Sequence, residues 1–283
     1  MTADTLRRAA MIYDFDGTLS PGAMQQHTFL PQIGYEDTNA FWREVKERKK
    51  VQDADETLIY LQMMLDKAPE KITRKALEEH GARLPFFNGV EEWFHRMNDY
   101  ARERELALEH YIVSSGNREM IEGCSIRSKF KGIFASGYAY DDKGYAAWPA
   151  VAVNYTNKTQ FIFRINKGIS NTWNDEEINR WIPMDERPLP FERMIFIGDG
   201  DTDIPSMKMI RVQGGSAIAV FDPEEWPKDK TQQKVGRLIA EDRANYAVPA
   251  DYCPGQLLDI TVKGILGRIA REAGYRPVHR DEV

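Results

Sequence analysis

Short apolar runs alternate with longer amphipathic stretches along this chain. Strands are predicted at residues 11–13, 110–113, 133–135, 194–197, 216–221 and 244–248, and a β-hairpin at residues 138–148. Helices are predicted between most of them, including residues 232–243 and 254–273. Strands that alternate with helices indicate a doubly wound parallel sheet with right-handed crossovers, so the predicted fold class is α/β.

The stretch that follows the first strand has helical signals only. Residues 37–50, 57–67 and 73–81 place apolar side chains at helical spacing, and a helix at residues 90–105 follows a turn. A capping box from Asp53 to Glu56 is expected to open the second of these helices, and Thr73 to cap the third. The pattern predicts a core formed by residues 1–20 and 86–283, interrupted by a small helical insert at residues 21–85.

Composition narrows the class of protein. The 283 residues are 42% hydrophobic and 29% charged, and the net charge of −6 argues against nucleic-acid binding, which needs a concentrated basic face. No apolar run approaches the ~20 residues of a membrane span, and the first ten residues lack the apolar segment of a signal peptide. The two cysteines, Cys124 and Cys253, indicate no disulfide scaffold. We expect a cytoplasmic protein that binds neither nucleic acid nor membrane.

Three predicted strands end in side chains suited to metal and phosphate chemistry. Because the carboxyl ends of parallel strands meet at one edge of a sheet, these side chains are expected to lie together. Closely spaced carboxylates need a counter-ion, and Mg²⁺ suits carboxylates that also hold a phosphate, while hydroxyls at a helix start favour an anion. The residues concerned are Asp14 and Asp16 after the strand at 11–13, Ser114, Ser115 and Gly116 after 110–113, and Asp199 and Asp203 after 194–197.

In this order the motifs resemble the haloacid dehalogenase-like superfamily of hydrolases, from residue 9 to about residue 220. The resemblance implies that Asp14 is the nucleophile and Asp16 the general acid and base. It implies that Ser114 binds the phosphoryl group together with its neighbours Ser115 and Gly116. Lys158 matches the lysine of the third family motif, which serves both catalysis and phosphate binding. Lys167 is the alternative for that lysine.

The resemblance also implies a metal site and a cap. Mg²⁺ would be held by the carboxylates of Asp14 and Asp199 and the backbone carbonyl of Asp16, with Asp203 supporting the site, while Asp201 is expected to face solvent. A helical insert between the first and second motifs is where the superfamily often places a cap, which excludes water and selects the substrate. Candidate substrate contacts from this insert are Gln25, Gln26, His27, Arg43 and Lys46.

Details of the first motif favour one reaction within the superfamily. Family dehalogenases lack the second Asp, whereas the presence of Asp16 here implies a leaving oxygen that must be protonated. The transport ATPases carry Lys after the nucleophile, and this chain has Phe15. We therefore expect a Mg²⁺-dependent phosphatase that hydrolyses a small phosphomonoester through an aspartyl-phosphate. The alternatives are a phosphotransferase or phosphomutase of the same superfamily, or a non-catalytic regulatory protein that binds a phosphorylated ligand.

The position of the insert and the Ser114-Ser115-Gly116 stretch resemble the phosphoserine phosphatase-like subgroup. Those enzymes have a Glu shortly after the first motif that receives the amine of the substrate. Ala23 stands at that place in this chain, and it cannot bind an ammonium group. Phosphoserine is therefore not the expected substrate, and a nucleotide, a sugar phosphate or another small phosphomonoester remains open.

Overall fold

The computed structural model describes residues 6–200 and 202–275, apart from the side chain of Asp185. The β-strands are β1 Arg7–Tyr13, β2 Leu106–Asn117, β3 Gly132–Tyr140, β4 Ala146–Val151, β5 Met194–Gly198, β6 Ser216–Phe221 and β7 Tyr246–Pro249. The α-helices are α1 Phe29–Gln32, α2 Thr38–Gln52, α3 Glu56–Lys67, α4 Arg74–Gly81, α5 Val90–Arg102, α6 Arg118–Gly123, α7 Lys158–Asn166, α8 Asp175–Asn179, α9 Ile204–Val212, α10 Asp229–Ala240 and α11 Leu257–Glu272. Within these ranges no helix is long and apolar enough to cross a membrane.

The strands form one sheet in the order β4-β3-β2-β1-β5-β6-β7, parallel except where β4 pairs antiparallel with β3. Alternate residues of β1 point to opposite faces. Met11 and Tyr13 pack in an apolar cluster with α5 and α11, whereas Ala10 and Ile12 pack in a second cluster with α7, α9 and α10. Helices therefore cover both faces of the sheet, and the predicted doubly wound α/β fold is confirmed.

Helices α1 to α4 occupy the insert between β1 and α5. Their buried residues, such as Phe41, Leu61 and Leu77, belong to the same apolar cluster as Met11 and Tyr13 of the sheet. Helix α4 packs on α6, and α3 packs on β4. The insert thus shares a hydrophobic core with one face of the sheet, and its description as a cap domain at residues 21–85 stays a prediction.

Of the two helix caps predicted at the starts of α3 and α4, one is confirmed and one is wrong. Thr73 caps α4 as predicted, because its side chain accepts a hydrogen bond from the amide of Ala76. The predicted capping box from Asp53 is wrong, since Asp53 ends α2 in the left-handed conformation. Asp55 has the extended backbone that a helix start needs, and its carboxylate accepts from the amides of Thr57 and Leu58. The sequence pattern did not predict the short helices α1 and α8.

A buried chain of polar groups lies under β1, directly before the strand reaches Asp14. The Trp93 indole donates to the Tyr13 hydroxyl at 3.0 Å, and that hydroxyl lies 2.9 Å from His110 Nδ1. His110 Nε2 lies 3.1 Å from the side-chain oxygen of Asn98. Each group has a partner if His110 is neutral, with its proton on Nε2. Burial lowers the pKa of His110 to about 3.

Because His110 is buried in its neutral form, we expect the free energy of unfolding to fall in mild acid. The folded-state pKa of His110 lies below its unfolded value of about 6.5, so below that pH the unfolded chain binds more protons. Going from pH 7 to pH 5 should therefore cost about 2 kcal/mol of unfolding free energy through this one group. Urea unfolding at both pH values checks it. His110→Gln should remove that part of the pH dependence, whereas His95→Gln, at an exposed position of α5, should retain it. Equal pH dependence in the native protein and His110→Gln would contradict the assignment.

Candidate active site

The carboxyl end of β1 places two acidic side chains at the edge of the sheet. The backbone N–H of Asp14 donates to the carbonyl of Ile197 in β5, which holds the two strand ends together. The Asp14 side chain is only 4% exposed, and its Oδ1 accepts the backbone N–H of Phe15 at 2.8 Å. Asp16 lies in the following turn, where its Oδ1 accepts the backbone N–H of Met24 at 2.9 Å.

The turn after Asp16 requires glycine for two reasons. Gly17 has a φ of 70°, in the left-handed region that side chains other than glycine rarely adopt. A Cβ atom at this position would also lie 3.2 Å from Oδ2 of Asp199. The turn after β1 therefore lies directly against the side chain of Asp199 in the loop after β5.

Lys158 forms the centre of the site. It begins α7 and is fully buried, with Nζ 3.0 Å from Oδ2 of Asp14 and 2.7 Å from Oδ1 of Asp203. Its Nζ also donates to the hydroxyl of Thr202 at 3.2 Å. Burial alone would lower the pKa of Lys158, but the charges of Asp14 and Asp203 outweigh it and raise the pKa above its ordinary value. The side chain is therefore a permanent cation between two carboxylates.

Lys167, the alternative for this position, lies elsewhere. Its Nζ donates to the backbone carbonyls of Ile178 and Arg180, at the opposite end of α7. Of the two lysines, the structure therefore brings Lys158 to Asp14.

Three carboxylates at the strand ends form a group that could hold a metal ion. Asp14, Asp199 and Asp203 each offer an oxygen atom within 4.8 Å of the others. Oδ2 of Asp203 is buried and has no hydrogen-bond partner among the described residues, and a Cβ on Gly198 would lie 2.2 Å from it. Clustered carboxylate oxygens, one of them unpartnered, fit a hard divalent cation such as Mg²⁺.

Two other predictions concern this cluster. The carboxylate of Asp16 is not part of the group, and its predicted contribution is its backbone carbonyl. Asp201 lies outside the described residues.

The sequence did not suggest Lys234 of α10 as a site residue. Its Nζ lies 3.0 Å from Oδ2 of Asp199.

Asp16 differs from Asp14 in its electrostatic environment. Burial, followed by the negative charge of Asp14, raises the pKa of Asp16 well above its ordinary value. The largest effect of charge on Asp16 thus comes from another carboxylate, whereas Asp14 contacts the ammonium of Lys158. A carboxyl group whose pKa is raised retains its proton more readily, as a general acid must.

The end of β2 closes the other side of the site. Ser114 is fully buried, and its Oγ accepts the backbone N–H of Gly116 at 3.1 Å. The carbonyl of Ser115 accepts the hydroxyl of Tyr60 at 2.6 Å, so α3 of the insert is tied to this strand end. A cavity of about 260 Å³, here called the phosphoryl cavity, is bordered by Asp14, Asp16, Ser114, Ser115, Gly116 and Asp199.

The candidate contacts from the insert divide into two groups. Gln25 borders a small cavity beside Asp16, and Gln26 and His27 border a third cavity on the Asp199 side. Arg43 pairs with Asp37 on an exposed surface, and Lys46 is exposed, so neither reaches these cavities. The sequence did not identify three further residues near the site. They lie on amphipathic helices, where their spacing is that of ordinary core or surface residues. These residues are Trp42, Tyr60 and Lys234.

Both a protein family and an individual relative match most of this chain. The model of the haloacid dehalogenase-like hydrolase family matches residues 11–208. An uncharacterised protein of Borreliella burgdorferi is 32% identical over 279 residues, which cover 88% of this chain and 93% of that protein.

Solved structures are similar in fold at low identity. A probable phosphoserine phosphatase from Vibrio cholerae has a TM-score of 0.54 and 12% identity, over 95% of this chain and 69% of its own. Cytosolic 5′-nucleotidase IIIB bound to cytidine has a TM-score of 0.52 and 13% identity, over 94% of this chain and 87% of its own. At these identities the likeness concerns the fold alone.

The ion pairs of Lys158 with Asp14 and Asp203 predict that removing the charge of Lys158 strongly destabilises the protein. Lys158→Met should lower the unfolding free energy by about 3–5 kcal/mol, because it leaves Asp14 and Asp203 buried without their counter-ion. Urea unfolding in the presence of a chelator measures the change. Lys167→Met, which loses only bonds to two backbone carbonyls, is the matched control and should cost about 1 kcal/mol. Similar losses in the two variants would show that Lys158 does not hold the cluster together.

Proposed function

The chain belongs to the haloacid dehalogenase-like hydrolase family, and from that premise we propose that it is a Mg²⁺-dependent phosphatase of a small phosphomonoester. One observation carries the proposal. A carboxylate held by a buried ammonium, Asp14 with Lys158, lies beside a second carboxyl group, Asp16, whose pKa is raised. The first has the environment of a nucleophile and the second that of an acid, and both border the phosphoryl cavity.

The proposed reaction has two steps. In the first, a carboxylate oxygen of Asp14 attacks phosphorus, the ester P–O bond breaks, and Asp16 gives its proton to the departing alcohol oxygen. The product is an aspartyl-phosphate on Asp14. In the second step Asp16, now ionised, takes a proton from water while the water oxygen attacks phosphorus. Inorganic phosphate leaves, and the carboxylate of Asp14 and the proton of Asp16 are restored.

The phosphoryl group would be held by groups from two strand ends. The hydroxyl of Ser114 would donate to a phosphoryl oxygen, with Ser115 and Gly116 beside it, and Lys158 offsets negative charge beside the nucleophile. Asp14, Asp199 and Asp203, together with the backbone carbonyl of Asp16, would hold Mg²⁺. A cation there supplies positive charge that offsets the charge of the phosphoryl group.

We also propose that residues 21–85 act as the cap of this site. Gln25, Trp42 and Tyr60 come from this segment and border a cavity that reaches Asp16. A cap at this place shields the reaction from bulk water and contacts the part of the substrate that leaves. The cytoplasmic location expected from the sequence stays a prediction.

Asp14→Asn should abolish turnover. Removing the nucleophile is expected to lower Mg²⁺-dependent phosphate release from p-nitrophenyl phosphate by at least about 10³-fold. Asp66→Asn on the exposed face of α3 makes the same chemical change away from the site and should leave the rate unchanged. Chelation of the metal should lower the native rate.

Three results would contradict this proposal. Full activity of Asp14→Asn would exclude Asp14 as the nucleophile. Phosphate transfer to an added alcohol with no release to water would instead indicate the phosphotransferase, and binding without turnover of any ester would indicate the non-catalytic alternative.

The role of Asp16 predicts a dependence on the leaving group. p-Nitrophenolate departs readily without a proton, whereas an alkoxide does not. Asp16→Asn should therefore retain a burst of p-nitrophenolate in rapid mixing, while the first step with an alkyl phosphate becomes at least about 100-fold slower. Equal slowing of the first step for both substrates would argue that Asp16 does not protonate the leaving oxygen.

A further inference from the structure

A second, smaller cavity of about 100 Å³ adjoins the phosphoryl cavity and shares Asp16, Ser115 and Gly116 with it. We call it the leaving-group cavity. Its other walls come mostly from the insert, chiefly Gln25 and the rings of Trp42 and Tyr60, and are completed by Tyr155 and Thr202 of the core. The proposed general acid lies at the boundary of the two cavities. Under the proposed function, the alcohol that Asp16 protonates would therefore lie in the leaving-group cavity.

Two polar side chains bordering this cavity have unused hydrogen-bonding capacity. Gln25 is only 1% exposed, and its Oε1 has no hydrogen-bond partner among the described residues. The buried Oγ of Ser115 also has none. A buried polar atom left without a partner costs about 1–3 kcal/mol, so such atoms beside a cavity indicate a ligand that supplies the missing bonds. An amide and a hydroxyl can both donate and accept, and together they complement hydroxyl groups.

The charges around the cavity disfavour an ionic leaving group. Of the described residues, no Lys, Arg or His borders either the phosphoryl cavity or the leaving-group cavity. A second anionic group on the substrate would lie near Asp14 and Asp16 without a counter-ion. Glu56 also borders the cavity, but it is already paired with Lys49 and so offers little to an ammonium group.

The aromatic walls and the volume limit the leaving group further. Trp42 and Tyr60 pack edge to face with centroids 5.6 Å apart, and the Tyr60 hydroxyl is fixed on the Ser115 carbonyl. Their rings offer apolar surface to C–H groups. At about 100 Å³ the cavity is well below the ~300–1,000 Å³ of pockets that enclose drug-sized ligands, so it suits a chain of a few carbons better than a hexose or a nucleoside.

We propose that the substrate is a phosphomonoester of a small uncharged polyol, about the size of glycerol, whose hydroxyls bond to Gln25 and Ser115. This inference rests on the proposed function. It assigns Gln25 the role of a specificity-determining residue that recognises the alcohol and not the phosphoryl group.

The test compares glycerol 3-phosphate with n-propyl phosphate, which has the same carbon chain without the hydroxyls. In the native protein kcat/KM should be at least about tenfold higher for glycerol 3-phosphate, because the unpartnered groups reject an analogue without hydroxyls. It should also exceed kcat/KM for phosphoserine and for uridine monophosphate. Gln25→Ala should bring the ratio of glycerol 3-phosphate to n-propyl phosphate close to one. Gln62→Ala, the same change on the exposed face of α3, should leave that ratio as it is.

The outcomes separate this inference from the proposed function. Mg²⁺-dependent hydrolysis of p-nitrophenyl phosphate with equal kcat/KM for glycerol 3-phosphate and n-propyl phosphate would overturn the inference and leave the phosphatase proposal standing. A preference for phosphoserine or uridine monophosphate would overturn it as well. No Mg²⁺-dependent hydrolysis of any ester would overturn both. The ranking of substrates uses the native protein, so it decides the question even if Gln25→Ala does not fold.

Discussion

The site depends on one buried cation. Lys158 contacts Asp14 at the end of β1 and Asp203 at the start of α9, and it is itself the first residue of α7. Two carboxylates buried this close would repel each other and lose their charges without it. The ammonium thus ties three elements together and is the counter-ion of both carboxylates. Gly198 belongs to the same constraint, since any larger residue would occupy the space of the Asp203 carboxylate.

The same cation explains how two acids two residues apart can have different chemistry. Asp14 has the ammonium of Lys158 and a backbone N–H as its partners. Asp16 also borders the leaving-group cavity, and burial and the charge of Asp14 favour its protonated form. Both residues are aspartates, so the difference comes from the surroundings of each side chain. A nucleophile and an acid are thereby produced from one strand end.

Much of this arrangement could be predicted from the sequence, and the rest could not, for physical reasons. Asp14, Ser114 and Asp199 follow apolar strands, and parallel strands meet at one edge, so hydrophobic pattern and topology suffice. The choice between Lys158 and Lys167 depends on how α7 packs, which its spacing does not show. Tyr60 belongs to the insert, where helical periodicity predicts an inward face but not the strand end that it meets. The cap at Asp55 was missed because Asp53, two residues earlier, has the same chemistry.

The shared hydrophobic core of the insert and the sheet has a consequence for ligand exchange. Side chains from α2, α3 and α4 pack in the same cluster as Met11 and Tyr13, so moving the whole insert away from the sheet would expose that cluster to water. At about 25 cal/mol for each Å² of apolar surface, such a hinge motion would be rarely populated. Entry and exit of small molecules should instead use local fluctuations of side chains and short turns. Exchange would then resemble breathing of a single folded unit more than the opening of two hinged lobes.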